Sequence, residues 1–447
     1  DNTYTGTTTV NAGVLHVTGK VAGNVTVDEG KLVIGNSDAI GGSITTTGSV
    51  ISYADTVVEA SAIILNSADT QLEVLTGESA EQSGIISQFD ATDRPLEKIG
   101  GGSLTLSAAN TYEGATTVTA GTLVVTGSIA SAVVTVDNDA TLEVDGSAIS
   151  NTAAVTLNDT STLNLTGNEE IGSLAGASGS FVTLGANTLT TGGDNTSTSY
   201  AGTISGTGAL TKTGTGTFTL TGANSYEGLT SVNAGVLNVQ DADALGTDDA
   251  GTTVASGAAL EVQGGITIAT EALTLNGVGI VAALVEGGAL RSVSGANSYD
   301  GDITLGSAAR INADAGSLTV GGTVDNGGFL LTVGGAGNTT FEDIISGLGG
   351  LTKDGAGTTT LEAVNTYSGA TTVNAGTLEV TGTIASAVVT VNNAATLEVA
   401  NGAAISNTAA VTLNDTSTLA LTNSETIGSL AGASGSFVTL GANTLTT

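Results

Sequence analysis

The residue types that most often catalyse reactions are scarce in this sequence of 447 residues. It contains one histidine, His16, and no cysteine. His16 stands between Leu15 and Val17 at the polar phase of an alternating pattern, and the sequence has no G-x-S-x-G motif to supply a serine nucleophile. We therefore interpret His16 as a solvated side chain and expect no histidine-based catalysis.

Carboxylates are the other candidates for chemistry, since the sequence has 42 acidic and only 8 basic residues. Pectin-cleaving β-helices combine clustered carboxylates with basic residues. Here the one Asp doublet, Asp248-Asp249, is far in sequence from the nearest basic residues, Lys212 and Arg291. A polysaccharide-active enzyme is thus a distant alternative, and we predict a protein without enzymatic activity, with neither catalytic nor cofactor-binding residues.

Acidic side chains can also bind divalent cations. The segment closest to the calcium-binding pattern Gly-Gly-x-Gly-x-Asp is 334–339, in which Thr339 stands at the position of the ligand Asp. We therefore expect no dedicated metal site, but we keep loose calcium binding as an open alternative. The formal net charge of −34 disfavours nucleic acids and anionic lipid as partners.

A short string, Asn-(Thr/Ser)-Tyr-x-Gly, organises the rest of the sequence and contains five of its seven tyrosines. In three copies a Leu stands fourteen residues before the Asn, and a Lys follows that Leu by two residues. We predict a structural role in a repeat for Asn2, Tyr4, Gly6, Asn110, Tyr112, Gly114, Asn224, Tyr226, Gly228, Asn297, Tyr299, Gly301, Asn365, Tyr367 and Gly369, and for Lys98, Lys212 and Lys353.

A second string, Val-Asn-Ala-Gly-x-Leu-x-Val, follows three of the copies, and a fourth copy has Thr119 in place of the Asn. Alternating apolar residues on either side of Asn-Ala-Gly predict a strand, a tight turn and a second strand, with the Gly at positive φ. We expect the five tyrosines to pack alike at the start of a strand, and the Gly after each to make a bend.

This arrangement resembles the passenger-associated transport repeat of bacterial autotransporter proteins, most clearly in 351–380. The copy that contains Lys98 is a weaker match, because the sequence around it diverges and follows Pro95, the one proline. The resemblance implies a right-handed parallel β-helix that is secreted across the outer membrane and stays outside the cell or at its surface. It implies a fold and a secretion route more strongly than an activity.

The spacing of the smaller units predicts an all-β fold, a parallel β-solenoid. Similar strand pairs begin at Val134 and Val155, 21 residues apart, and at Val389 and Val411, 22 apart. One solenoid turn needs about this length, so we expect about 20 turns. A row of antiparallel hairpins, closed at turns such as 158–159, fits the local pattern equally well, whereas the regular alternation of apolar residues opposes disorder.

We predict one continuous solenoid over residues 1–447, without a domain boundary, because the composition does not shift along the chain. Repeat boundaries fall near residues 109, 223 and 364, and a longer repeat, 110–191, recurs as 365–447. The segment 51–97 has the least regular pattern, so we expect any bulge there. No apolar run is long enough for a transmembrane helix.

The sequence favours an elongated structural or adhesive protein, a segment of a longer repetitive surface or fibre protein. A specific adhesin for host or neighbouring cells is the second hypothesis. Neither terminus reads as a polar cap, so we expect further repeats or other copies of the chain to stack end to end. Cell surfaces or glycans are the other partners that we consider.

Overall fold

The computed structural model describes residues 2–280 and 287–447, and within them it contains strands and turns but no helix. Every strand pairing is parallel, and together the strands form about 22 turns of a β-solenoid. The described part accordingly holds no helix that could cross a membrane. The chain divides into two compact units, Asp1–Glu227 and Gly228–Thr447, and each is a stack of short parallel strands.

The first unit contains β1 to β28. In chain order they are Thr8–Val10, Val14–Val17, Val25–Asp28, Lys31–Ile34, Ile44–Thr47, Val50–Tyr53, Val57–Glu59, Ile63–Leu65, Thr70–Val74, Ser79–Gln82, Ile86–Gln88, Leu96–Ile99, Ser103–Leu106, Thr116–Val118, Thr122–Val125, Val133–Val136, Thr141–Val144, Ala154–Leu157, Thr162–Leu165, Glu169–Ile171, Ser173–Gly176, Phe181–Thr183, Thr188–Thr191, Thr198–Tyr200, Thr203–Gly206, Ala209–Lys212, Thr217–Leu220 and Ser225–Tyr226.

The second unit contains β29 to β56. In chain order they are Thr230–Val232, Gly235–Val239, Thr252–Val254, Ala258–Gln263, Thr267–Ile268, Leu273–Gly277, Leu290–Ser294, Ala296–Tyr299, Ile303–Ala313, Ser317–Val320, Val324–Asp325, Leu331–Gly334, Asn338–Phe341, Ile345–Ser346, Leu351–Lys353, Thr358–Leu361, Val364–Asn365, Thr371–Val373, Thr377–Val380, Thr383–Ile384, Val388–Val391, Thr396–Val399, Ala410–Leu413, Thr418–Leu421, Glu425–Thr426, Ser429–Gly432, Phe437–Thr439 and Leu445–Thr446.

The register confirms the predicted stacking of like residues. Val134 lies beside Val155, and Val389 lies beside Val411. Turns also come shorter than expected, since Thr116 pairs with Val134 only 18 residues later. The strands β18 and β19, on either side of the turn at 158–159, pair with the turns before and after them and not with each other. This excludes the hairpin alternative at that turn.

Alternation of apolar and polar residues builds a narrow interior in each unit. In the strand Thr141–Val144, for example, Leu142 and Val144 are fully buried while the two residues between and before them stay partly exposed. Stacking such strands places each Leu or Val above another, as Leu142 lies beside Leu123 and Leu163. The small apolar side chains therefore form one continuous core along the turns of a unit.

Two loops interrupt the strands of the described residues, one inside and one outside the segment that the sequence indicated. Residues 51–97 contain strands that pair in register with neighbouring turns, and only the loop 89–95 interrupts them. The larger loop is 240–251, in the second unit, where Ala244 and Leu245 are buried beneath it. The segment 51–97 thus contains a loop around Asp90, Asp93 and Arg94, as its charges indicated, although the longer loop 240–251 lies outside it.

The Asn-Ala-Gly turns have the predicted backbone. Gly13, Gly121, Gly235 and Gly376 all have positive φ, between 63° and 77°. At Gly376 a Cβ would also meet the Gly357 carbonyl oxygen at 2.4 Å. The turn thus needs glycine for two reasons, its dihedral angle and the backbone of the preceding turn.

Two glycines of the second unit separate the cost of the positive φ from the cost of the close backbone approach. Gly257 has φ +83° but nothing within 4 Å of the position of a Cβ. We expect Gly257→Ala to lower the free energy of unfolding by about 1 kcal/mol, the cost of the left-handed backbone. Gly376→Ala adds a backbone clash and should cost at least about 2 kcal/mol. Urea unfolding followed by circular dichroism measures both, and equal costs would contradict the close approach.

Candidate functional site

The lysine of the repeat is buried and joins two turns. Lys98 is 2% exposed, and its Nζ donates to the carbonyls of Ile99 and Gly100 at 3.0 and 2.8 Å. A third bond, of 3.1 Å, reaches the carbonyl of Ala120 in the next turn, next to the tight turn at Gly121. Burial lowers the pKa of Lys98 to about 8, and the charge of Glu73 partly opposes this shift.

The other two repeat lysines are placed similarly. Lys353 is 2% exposed and donates to the carbonyl of Gly355 and, at 3.2 Å, to that of Ala375 in the next turn. Lys212 is also buried and donates to two carbonyls of its own turn, while burial lowers its pKa to about 8. The lysine thus satisfies carbonyl oxygens at a corner where the strand ladder ends.

The asparagine of the string joins three turns. Asn110 accepts a hydrogen bond from the backbone N–H of Ile86, in the preceding turn, at 2.8 Å. Its amide donates to the carbonyl of Ala108 at 3.0 Å and to that of Ser128, in the following turn, at 3.1 Å. An amide that both accepts and donates can satisfy N–H and C=O groups at the same corner.

Asn365 makes the same bonds in the second unit. It accepts from the N–H of Ile345 at 2.9 Å and donates to the carbonyls of Ala363 and Thr383 at 2.9 and 3.1 Å. Asn224 is also buried and accepts from the N–H of an earlier turn at 2.8 Å. Asn2, in contrast, is exposed in the first turn.

The tyrosine ring is fully buried in four of the five copies, at Tyr112, Tyr226, Tyr299 and Tyr367. The hydroxyl of Tyr112 bonds to Thr116 Oγ1 at 2.8 Å, and Thr116 Oγ1 bonds to Ser131 Oγ at 2.6 Å. Burial raises the pKa of Tyr112 to about 12. The hydroxyl chain therefore continues from the corner of one turn into the next.

In the second unit the same chain runs from Tyr367 through Thr371 to Ser386, with distances of 2.8 and 2.6 Å. Two copies differ. Tyr4 bonds to Thr8, also four residues later, but it is 43% exposed in the first turn. Tyr299 has Ile303 four residues later, and its buried hydroxyl has no hydrogen-bond partner. The five tyrosines therefore do not share one environment.

The glycine of the string lies at a bend in all five copies, as predicted, and in three of them it also allows a close approach of two turns. Gly114, Gly301 and Gly369 do not have positive φ. A Cβ at these positions would lie 2.2, 1.9 and 2.4 Å from backbone atoms of the preceding turn. Gly6 has open space around it, and Gly228 is half-buried. The predicted bend is confirmed, and close approach is a second reason for glycine, because the backbones of stacked turns almost touch at Gly114, Gly301 and Gly369.

Buried carboxylates are a second kind of corner residue, which the sequence reasoning missed. Glu169 is 2% exposed and accepts from the N–H groups of Ala148 and Ile149, both at 3.0 Å. Glu425 accepts from the N–H of Ala404 at 2.9 Å. Burial raises the pKa of both carboxyls, although the backbone bonds oppose the shift. At Glu425 the available signal was a single Glu at a position of the strand that faces the interior.

The side chains that we considered for chemistry lie apart. His16 is exposed. Asp248 and Asp249 are exposed on the loop 240–251, where their carboxylates accept from neighbouring threonine hydroxyls. Thr339, at the ligand position of the calcium pattern, is 1% exposed and points into the core. Residues 2–280 and 287–447 contain no cluster of three or more side chains suited to a metal ion.

Arginine joins acidic side chains on one face of the second unit. Arg291 bonds to Glu261 at 2.7 Å and to Asp314 at 2.6 Å. Arg310 is 8% exposed and forms a bidentate pair with Asp354, with distances of 2.7 and 2.8 Å. Arg291 bridges the carboxylates of two turns, and Arg310 pairs with one carboxylate and with the side-chain oxygen of Asn312. The positive charges of both arginines are therefore paired within the fold.

The hydroxyl of Tyr367 has a hydrogen-bond partner and that of Tyr299 has none, so we expect removal of the hydroxyl to affect stability differently at the two positions. Tyr367→Phe breaks the bond to Thr371 and should lower the free energy of unfolding by about 1 kcal/mol. Tyr299→Phe removes a buried hydroxyl without a partner and should be neutral or stabilising. Denaturant unfolding of the two variants, each against the unsubstituted protein, tests this, and a larger loss for Tyr299→Phe would contradict it.

Glu271 predicts a pH dependence for the second unit. Burial raises the pKa of this carboxyl from 4.5 to about 7, the bond from Thr252 opposes the shift, and the charge of Asp248 adds to it. Because folding favours the protonated form, the stabilisation is complete below pH 4.5 and is lost as the pH rises through 7. Glu271→Gln should flatten this part of the stability curve and raise the melting temperature at pH 8.

The control for Glu271→Gln is Glu362→Gln, which removes the same charge from an exposed position. It should leave the slope between pH 4.5 and pH 7 unchanged. If the melting temperatures of the two variants changed with pH in the same way, the pH dependence could not be assigned to Glu271.

Comparison with known proteins agrees with this geometry. The family model described as passenger-associated-transport-repeat matches residues 1–17, 96–125, 210–239 and 351–380. No curated protein and no solved structure matches significantly. The second to fourth matches contain Lys98, Lys212 and Lys353, and each ends with the strand after the Asn-Ala-Gly turn or after its variant with Thr119. The chain therefore contains four passenger-associated transport repeats within a parallel β-solenoid, as expected of an autotransporter passenger.

Proposed function

We propose that the chain is a structural and adhesive scaffold outside the bacterial cell, delivered across the outer membrane by the autotransporter route. The observation that carries this proposal is the burial of the lysine, asparagine and tyrosine of the repeat as links between turns. The repeat builds the solenoid, and its polar residues are not presented to a ligand. The passenger repeats imply secretion or surface exposure.

The scaffold has no enzymatic role in this proposal and needs no cofactor. Its surface carries most of the 42 acidic residues, whereas the lysines of the repeat are buried and Arg291 and Arg310 pair with carboxylates. Such a surface repels a like neighbour at low salt and is screened by salt or divalent ions. We propose loose, non-specific calcium binding as one source of that screening.

The end-to-end partners in this proposal are further turns of the same kind, from the same chain or another copy. The support is the parallel register, in which threonine stacks on threonine from Thr358 to Thr377, Thr396 and Thr418. Any turn with this alternation presents the same row of N–H and C=O groups to the next one. Cell surfaces and glycans would be contacted by the outer faces.

One observation favours the alternative, a specific adhesin. In the second unit, Phe329 and Leu330 are 41% and 43% exposed, and Leu348 in the adjacent turn is 77% exposed. The N–H of Leu348 bonds to the carbonyl of Gly327, which holds the two turns together at this corner. We name Phe329, Leu330 and Leu348 the apolar corner. A specific adhesin would use such a patch, because surface aromatic and Leu side chains can anchor a partner.

The test displays the chain on a non-adherent bacterium by fusing it to the membrane domain of an autotransporter. We expect antibodies to label intact cells and the cells to adhere to several unrelated surfaces. Phe329→Ser with Leu348→Ser should leave adhesion unchanged, as should the control Val388→Ser, another exposed residue. If only the variant with both Phe329→Ser and Leu348→Ser fails to adhere, the protein is a specific adhesin. If cells that display the unsubstituted chain do not adhere to any surface, the adhesive role is refuted.

A further inference from the structure

Two segments, which we name the clamp segments, each combine the buried lysine, asparagine and tyrosine links of the repeat within successive turns. The first, residues 86–131, contains Lys98, Asn110 and Tyr112 with their partners. The second, residues 345–386, contains Lys353 and Asn365, together with the corresponding tyrosine. In each clamp segment three different side chains, all buried, connect successive turns.

The links of one clamp segment act in series. In the first, Asn110 ties the turn of Ile86 to its own turn and to Ser128. Lys98 ties the same turn to Ala120. The hydroxyl chain from Tyr112 then ends at Ser131 Oγ. Opening the turn that contains Lys98 and Asn110 therefore breaks side-chain bonds to both of its neighbours, in addition to the strand ladder.

The neighbouring turns offer a matched comparison. Residues 133–165 and 388–421 have strands of the same length and stacking, but their interior is filled by Val, Leu and Ala. Apart from the bonds to Glu169 and Glu425, their cross-turn side-chain bonds lie at partly exposed positions, such as Asn158 to Asp137 and Asn414 to Asn392. Water competes for bonds at such positions, so each adds less to stability than a buried bond.

The corner residues of the comparison turns are also weaker. Glu169 and Glu425 accept N–H bonds there, but burial penalises the ionised form of each carboxyl. A neutral asparagine has no such penalty, and it donates as well as accepts. At equal burial, the corner of a clamp segment should therefore resist opening more strongly than the corner of a comparison turn.

We propose that the clamp segments are more stable than the turns that follow them, residues 133–165 and 388–421, and that local unfolding of those turns stops at the clamp segments. In a repeat protein each turn contacts only its neighbours, so stability is a sum of local terms and an opening spreads until it meets a strong interface. Each clamp segment supplies such an interface. The repeat thus divides a long solenoid into sections that open and close separately, and damage to one section leaves the others folded.

Hydrogen exchange measured by mass spectrometry on the whole chain tests the proposal. We expect the strand amides of 96–125 and 351–380 to exchange at least about tenfold more slowly than those of 133–165 and 388–421. This comparison needs no substitution, so it stands even where a variant fails to fold. Equal or faster exchange in the clamp segments would overturn the proposal.

Substitutions in the second clamp segment test its cause. Asn365→Ala and Lys353→Met should each accelerate exchange in 345–386 by about tenfold or more, because buried backbone groups lose their partners. The clamp segment of the first unit should not change, which provides an internal control. Asn392→Ala, which removes a partly exposed cross-turn bond, should leave 345–386 unaffected. Unchanged exchange in both clamp variants, or an equal effect of Asn392→Ala, would overturn the proposal.

Discussion

The corners of the solenoid are the constraint on which the other features depend. Parallel strands satisfy their backbone groups through the turns above and below, but the ladder is interrupted wherever the chain changes face. The N–H of Ile86 and the carbonyl of Ala120 are two groups left without strand partners at such places, and Asn110 and Lys98 bond to them. The interior therefore contains polar side chains at corners and apolar side chains along faces.

This division explains why so much of the fold could be read from the sequence. The period of two within strands and the period of about 20 between turns both come from backbone geometry, and both leave a pattern in Val, Leu and Thr. Register followed directly, as Val134 beside Val155 shows. The positive φ of Gly376 was predictable in the same way, because the turn sequence Asn-Ala-Gly identifies it.

The contacts at corners could not be predicted to the same extent, because they depend on which turns become neighbours. Gly369 needs to be glycine because of the backbone at Gly349, twenty residues earlier, and a short string contains no sign of that approach. The burial of Lys98 did have a signal. It stands two residues after Leu96, so both side chains point to the same face of the strand. At Glu169 the sequence did not show which of two adjacent glutamates faces the interior. The structure buries Glu169 and exposes Glu170.

The divergent copy around Asn297 keeps the asparagine link between turns, although other features of the repeat are absent from it. Its tyrosine hydroxyl has lost its partner, and the string after it no longer contains the Asn-Ala-Gly turn. Asn297 nevertheless accepts from the N–H groups of Gly265 and Ile266 and donates to Ser292 Oγ and to the carbonyl of Ser294. A buried tyrosine can lose its hydroxyl bond at a modest energetic cost, since its ring still fills the core. A corner without its asparagine leaves several buried backbone groups unpaired at once, so the asparagine is the link that this corner requires.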